Sequence, residues 1–264
     1  NYVRSIHGDH VNDPYYWMID YFKKGKDSSK VIDYLTAENK YFAAMMEDTK
    51  PLQEKLFNEI KGRIKEKDES VPTFRNGYFY YTKTEAGKQY FKYYRKKGNL
   101  NAAEELLLDV DQLAEGKSYY SASGFSISPD NSKLIYGVDD VSRRQYKLFL
   151  KDLKTGKTTD LGIKNTSGYA VWANDNKTIF YTAKNAETLL SEKIVRHTIG
   201  TDASKDVVVY HEKDNTNYIG VSKSKNGQYI MIDSGSTTSS ETRYIKSDEP
   251  NAEFKVFQTR IPNV

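Results

Sequence analysis

The sequence predicts a mainly β chain of repeated four-stranded units behind a short helical segment, and three observations carry that prediction. Residues 125–161, FSISPDNSKLIYGVDDVSRRQYKLFLKDLKTGKTTDL, hold four short alternating apolar–polar runs separated by turn sequences. A hairpin turn built of Asn, Asp or Gly recurs at Asn76-Gly77, Asp130-Asn131, Asp175-Asn176 and Asn226-Gly227, at spacings of 54, 45 and 51 residues. Spacings of that size are expected of four-stranded propeller blades. The hydrophobic period changes from helical to alternating at Val71-Pro72, after the charge-rich stretch 61–69. The expected architecture is a partial β-propeller of about four blades over residues 71–264, preceded over residues 1–70 by an N-terminal arm and two α-helices.

Taken in order, Asp13-Pro14-Tyr15-Tyr16-Trp17-Met18 reads as part of an irregular arm, with Pro14 holding its neighbour extended and the rings supplying something to pack. Ser28-Ser29 are candidate N-caps for a first helix whose apolar face runs through Val31, Tyr34, Leu35, Tyr41, Phe42, Met45 and Met46. Pro51 starts a second helix, with Leu52, Leu56, Phe57, Ile60 and Ile64 as its stripe. Both stripes need a partner to cover them; at helical spacing the two Met are read as packing residues. The first blade carries aromatic strands on either side of Asn76-Gly77, the strongest short hairpin signal in the chain. Tyr90–Arg95 and Glu105–Leu108 complete it. The third blade is read at Ala170–Ala173, Thr178–Thr182, Lys193–Thr198 and Val207–Tyr210, and the fourth at Tyr218–Ser222, Gln228–Asp233, Thr242–Ser247 and Phe254–Gln258. Residues 260–264 read as the lead into a further unit.

Composition narrows the classes of function. With 22 Tyr and 11 Phe the chain carries large amphipathic rings suited to many half-buried strands, so it is globular despite only 38% hydrophobic residues. Its net charge of +4 comes from interspersed acids and bases, a weak field that points to no nucleic-acid partner. Cysteine is absent, which removes disulfides and thiolate chemistry. No apolar run approaches membrane-spanning length, so no membrane partner is expected.

Chemical motifs are sparse. Gly124-Phe125-Ser126 and Gly220-Val221-Ser222 are the nearest approaches to a nucleophile elbow, but both lack the second Gly and both fall inside strands. His7, His10, His197 and His211 are too scattered for a metal site, and no metal or cofactor is expected. Asp139-Asp140 and Arg95-Lys96-Lys97 are read as solvated charge. The adjacent Arg143 and Arg144, in the loop between a blade's second and third strands, are the candidate functional residues: two guanidinium groups there are suited to a carboxylate on a partner domain or a substrate.

Asp13-Pro14-Tyr15-Tyr16-Trp17-Met18, Tyr34-Leu35-Thr36-Ala37-Glu38-Asn39, Leu52-Gln53-Glu54-Lys55-Leu56 and Ser128-Pro129-Asp130, in that order, resemble the N-terminal half of the prolyl oligopeptidase family of serine peptidases. Val141-Ser142-Arg143-Arg144-Gln145-Tyr146, Val171-Trp172-Ala173-Asn174-Asp175 and Arg196-His197-Thr198-Ile199-Gly200-Thr201 are similar to its oligopeptidase B, or protease II, branch. The resemblance implies a seven-bladed propeller combined with a C-terminal α/β-hydrolase domain of the same protein, on which the N-terminal arm and helices would pack. It implies hydrolysis of short peptides by a Ser-Asp-His triad, after Arg or Lys in the oligopeptidase B branch, with the propeller restricting access. On this reading the triad lies beyond Val264, no catalytic residue is assigned within the chain, and the four blades form an open arc. The alternative is a stand-alone propeller serving as an interaction module.

Overall fold

The computed structural model describes residues 2–261, and these fall into two compact units, Asn1–Lys65 and Glu66–Val264. In the first, β1 (Tyr2–Ile6) pairs antiparallel with β2 (Asp9–Asp13) in place of the expected irregular arm. The two-residue turn between them places His7 at φ 52° and Gly8 at φ 87°. That geometry matches the twist of a hairpin, and it escapes a sequence reading because His is not among the usual residues of such turns. A 3₁₀ turn at Tyr16–Ile19 leads into α1 (Asp20–Lys23), then α2 (Ser28–Met45) and α3 (Lys50–Gly62). Ser28 is the first helical residue of α2, and the N-cap is Asp27, whose N–H is held by the Asp20 carboxylate at 3.0 Å. Pro51 sits in the first turn of α3, where its missing N–H has no intrahelical partner to lose.

The second unit is four antiparallel four-stranded meanders, each paired in chain order. The first blade comprises β3 (Thr73–Arg75), β4 (Tyr78–Lys83), β5 (Lys92–Lys97) and β6 (Glu104–Asp109). A short helix, α4 (Val110–Ala114), then connects to the second blade, β7 (Ser121–Ile127), β8 (Lys133–Asp139), β9 (Lys147–Asp152) and β10 (Thr158–Asp160). The third contains β11 (Thr166–Trp172), β12 (Thr178–Lys184), β13 (Ser191–Thr198) and β14 (Val207–His211). The fourth contains β15 (Tyr218–Lys223), β16 (Tyr229–Gly235), β17 (Ser240–Lys246) and β18 (Lys255–Gln258). The stretch read as leading into another unit ends in Pro262, Asn263 and Val264, which lie outside the described residues. Arg95 is a correction: it stands in β5, 5% exposed, with its guanidinium on Glu105 at 2.7 Å and on the Asn131 carbonyl at 3.0 Å. A run of three cations resembles a solvated turn, yet strand alternation turns the first of them inward.

The core is a set of interfaces between successive blades. Leu107, Leu108 and Val110 meet Leu134, Tyr136 and Val138 between the first and second. Ile135 and Leu148 meet Ala170, Trp172, Ile179 and Tyr181 between the second and third. Val171, Phe180 and Ile194 meet Ile219, Val221, Ile230 and Ile232 between the third and fourth. Strand β8 therefore sends Leu134, Tyr136 and Val138 to one neighbour and Ile135 to the other, as strand alternation requires. In the fourth blade one face, that of Ile219, Ile230, Ile232 and Ile245, is covered by the third blade, while Tyr218 and Phe257 are each 73% exposed. Backbones meet directly between the second and third blades: a Cβ on Gly137 would fall 2.4 Å from the Gly168 Cα.

The hairpin turns that mark the repeat also join the blades. Asn76 Nδ2 donates to the Pro129 carbonyl at 2.8 Å, the Asp130 N–H to Asn176 Oδ1 at 2.8 Å, and Asn174 Nδ2 to Asp248 Oδ1 at 2.8 Å. Asn and Asp suit these turns because they tolerate positive φ, as Asn76, Asn131 and Asn176 show at 47°, 61° and 58°. The same side chains then supply hydrogen bonds between blades.

Candidate functional site

In an antiparallel meander the first turn and the second loop lie at opposite ends of the strands, so each blade has a turn end and a loop end. The predicted pair, Arg143 and Arg144, stands at the loop end of the second blade, between β8 and β9. Asp139, the last residue of β8, is fully buried and accepts the N–H groups of Val141 at 3.0 Å and Arg144 at 2.7 Å. It is therefore not the solvated charge expected from sequence; a buried carboxylate is tolerable here because backbone donors satisfy it. Its neighbour Asp140 turns outward to pair with Lys147 at 3.1 Å, and the Lys147 contact holds the Asp140 carboxyl below its usual range despite some burial.

Third-blade residues complete the loop's support. Lys184, at the end of β12, donates to the Arg144 carbonyl at 2.9 Å, and Gln145 Nε2 reaches the Ala186 carbonyl at 3.4 Å. Thr166 Oγ1 donates to the Tyr146 carbonyl at 3.0 Å. Burial and then the nearby Arg144 guanidinium push the Lys184 ammonium below its ordinary value. Ser142 at φ 61° and Arg144 at φ 54° are held in the left-handed region, a conformation costing about 1 kcal/mol or more per non-glycine residue. Arg143 and Arg144 are both exposed, and among the described residues neither guanidinium has an ion-pair partner. The structure thus places both predicted residues, exposed, on one pinned loop. Sequence reading missed Asp139 and Lys184 as the supports: the backbone donors of Asp139 converge only once the loop has folded, and no spacing rule links Lys184 to Arg144, 40 residues away in another blade.

The other ionisable groups singled out from sequence are elsewhere. His10 Nδ1 lies 2.7 Å from the Ser5 hydroxyl within the β1–β2 hairpin. His197 is 1% exposed in β13, its Nδ1 2.6 Å from Asp206, which also accepts the Tyr181 hydroxyl at 2.9 Å. That buried pair ties β12 and β13 to the segment before β14. Ser126 and Ser222 stand within β7 and β15.

At the turn end, the inner strands and first turns of all four blades surround a cleft of about 1180 Å³. Lys223 lies in its wall, its ammonium donating to the Trp172 carbonyl at 2.9 Å and to Asn174 Oδ1 at 2.6 Å.

Residues 1–262 match the sequence family described as Prolyl oligopeptidase, N-terminal beta-propeller domain. The chain is 38% identical to dipeptidyl aminopeptidase BI of Pseudoxanthomonas mexicana over 99% of its own length and 38% of that protein's. It is 31% identical to protease 2 of Moraxella lacunata, over 97% of its own length and 37% of that protein's. Among solved structures, oligopeptidase B from Leishmania major superposes with a TM-score of 0.86 at 29% identity, covering 97% of this chain and 36% of that one. The chain thus spans less than two fifths of each of these three relatives. Four-stranded blades in the expected order, the family match along almost every residue and the superposition agree, and the chain belongs to the prolyl oligopeptidase family of serine peptidases, matching its N-terminal β-propeller domain.

Proposed function

We propose that this chain is the propeller portion of an oligopeptidase B-like enzyme that hydrolyses short peptides after Arg or Lys, with the propeller limiting the size of what reaches the catalytic centre. The observation that carries the reading is the family match over residues 1–262, supported by the likeness to oligopeptidase B. On this reading the Ser-Asp-His triad belongs to a C-terminal α/β-hydrolase domain of the same protein, and the 264-residue chain by itself is inactive. The apolar stripes of α2 and α3 dock on that domain. Arg143 and Arg144, pinned and exposed, contact the hydrolase domain or the carboxylate of a bound peptide.

The 38% identity to a dipeptidyl aminopeptidase favours a second specificity, removal of dipeptides from a free N-terminus. One assay separates the two. The full gene product is offered an N-blocked arginyl amide, a dipeptidyl amide with a free amine, and a folded protein. The primary reading expects turnover of the blocked arginyl substrate and none of the folded protein; turnover of the free dipeptidyl amide alone would transfer the assignment to the second. Arg143→Ala with Arg144→Ala in the same protein is expected to lower turnover at unchanged propeller stability, and unchanged turnover would remove the contact role. If the reading frame after residue 264 encodes no hydrolase domain, the stand-alone interaction module takes its place.

A further inference from the structure

The turn-end cleft has a one-sided charge. Among the described residues that line it are three cations, Arg75, Lys223 and Lys225, and not one Asp or Glu, in a chain where 36 of 264 residues are acidic. Some cations of the second unit are answered locally, as Lys92 is by Glu85 and Asp109, and Arg243 by Glu241. In the cleft they are not. Arg75 is exposed, at the end of β3, and among the described residues it has no ion pair. Lys223 is aimed by its two bonds to Trp172 and Asn174, which leaves the third donor of its ammonium available.

The two cations also sense each other across the space between the first and fourth blades. Burial, and after it the charge of Arg75, pushes the Lys223 ammonium below its ordinary value, with smaller opposing effects from Asp248 and Asp175. An anion between them would relieve that repulsion and gain charge-assisted hydrogen bonds from both. The remaining wall is ring-rich, including Tyr80, Phe125 and Trp172, so the occupant suited to it joins an anionic end to an apolar body. This cleft is at the opposite end of the strands from Arg143 and Arg144, and the two sites are separate.

We propose that the turn-end cleft binds the free C-terminal carboxylate of a short peptide, with Arg75, Lys223 and Lys225 as the cationic receptor and the rings holding the adjoining residues. The choice of a peptide rests on the peptidase reading above; a terminal carboxylate is the anion that every linear peptide carries. The site would then select unblocked chain ends at the mouth of the propeller.

Calorimetric titration of the 264-residue chain with acetyl-Gly-Phe-Ala as the free acid and as its C-terminal amide tests the proposal. The acid is expected to bind about tenfold more tightly than the amide, the scale of one charge-assisted contact. Arg75→Gln, at a side chain without an ion-pair partner, is expected to remove that difference while leaving the thermal midpoint unchanged, and Lys225→Gln to reduce it. Equal affinities for acid and amide, or a preference untouched by Arg75→Gln, would overturn the site. Displacement of the acid by equimolar inorganic phosphate would overturn the peptide assignment, since a general anion site needs no apolar body. Acid preference in a chain whose full-length form hydrolyses no peptide would instead sink the peptidase reading and leave the cleft standing.

Discussion

Strand β8 and helix α2 are both strongly patterned in apolar residues, and they meet opposite fates. Every residue of β8 from Leu134 to Asp139 is buried, while of the eighteen residues of α2 only Val31 is. Tyr41, Phe42 and Met45 in α2, Phe57 and Ile60 in α3, and Ile64 just past its end are each more than 60% exposed. The difference lies in where the covering surface is encoded. A blade's neighbour is the next repeat of the same chain, about fifty residues on, so its faces close within the unit. A helical stripe announces that something must cover it without naming what, and in the first unit that cover is not supplied by the unit itself.

Substitutions at the two places should differ by several kcal/mol. The largest loss is expected for Trp172→Ala, 2% exposed between the second and third blades with its Nε1–H on the Ser126 carbonyl at 3.0 Å. Removing a buried aromatic of this size costs about 3–5 kcal/mol, read as a shift in the urea midpoint. Gly137→Ala comes next. Its new methyl would lie 2.4 Å from the Gly168 Cα, and separating two backbones should cost about 1–3 kcal/mol. A neutral result there would mean the blades are less tightly set than the structure has them.

Asp139→Asn tests the Arg143–Arg144 loop. With one carboxylate oxygen replaced by an amide donor, the N–H of Val141 or of Arg144 loses its acceptor. An unsatisfied buried group costs about 1–3 kcal/mol. The sharper readout is trypsin, which should cut after Arg143 or Arg144 several times faster in the variant; equal cutting rates would show that Asp139 does not hold the loop.

Acid should weaken the propeller through its turns. Burial opposes ionisation of Asp130 and Asp175, but hydrogen bonds from Ser128 and Ser132 to the first, and from Thr178 and Lys177 to the second, outweigh it and lower both carboxyls. Groups with lowered folded values bind fewer protons when folded, so their contribution is complete above the ordinary carboxylate value near about pH 4 and drains away as pH falls through the lowered values. The urea midpoint followed from pH 6 to pH 3 should fall, and Asp130→Asn should flatten that fall slightly. Smallest of all is Phe57→Ser, 64% exposed in α3, which should cost less than about 0.5 kcal/mol in this chain. A loss comparable with that of Trp172→Ala would erase the contrast between the two regions.

Much of this was legible. The Asn- and Asp-bearing turns located all four blades because positive φ restricts which residues can stand there, and alternation placed the strands to within a few residues. The two helices followed from spacing and from Pro51. What escaped depends on contacts between distant repeats: Asp139 looks solvated in sequence because the backbone donors that satisfy it exist only once the loop has folded. Arg75 and Lys223 are nearly 150 residues apart, and only the arrangement of the blades brings both to one cleft. Arg95 was hidden by its two cationic neighbours, and the β1–β2 hairpin by a His in the place of Asn.

We propose that these blades serve a peptidase whose chemistry is housed elsewhere in the protein. The most direct test is hydrolysis of an N-blocked arginyl amide by the 264-residue chain and by the full gene product at equal concentration. Turnover by the full product, abolished by a serine-directed phosphonate, with none by the 264-residue chain, is the predicted result. Turnover by the 264-residue chain that survives repurification, or none by either protein, would contradict it.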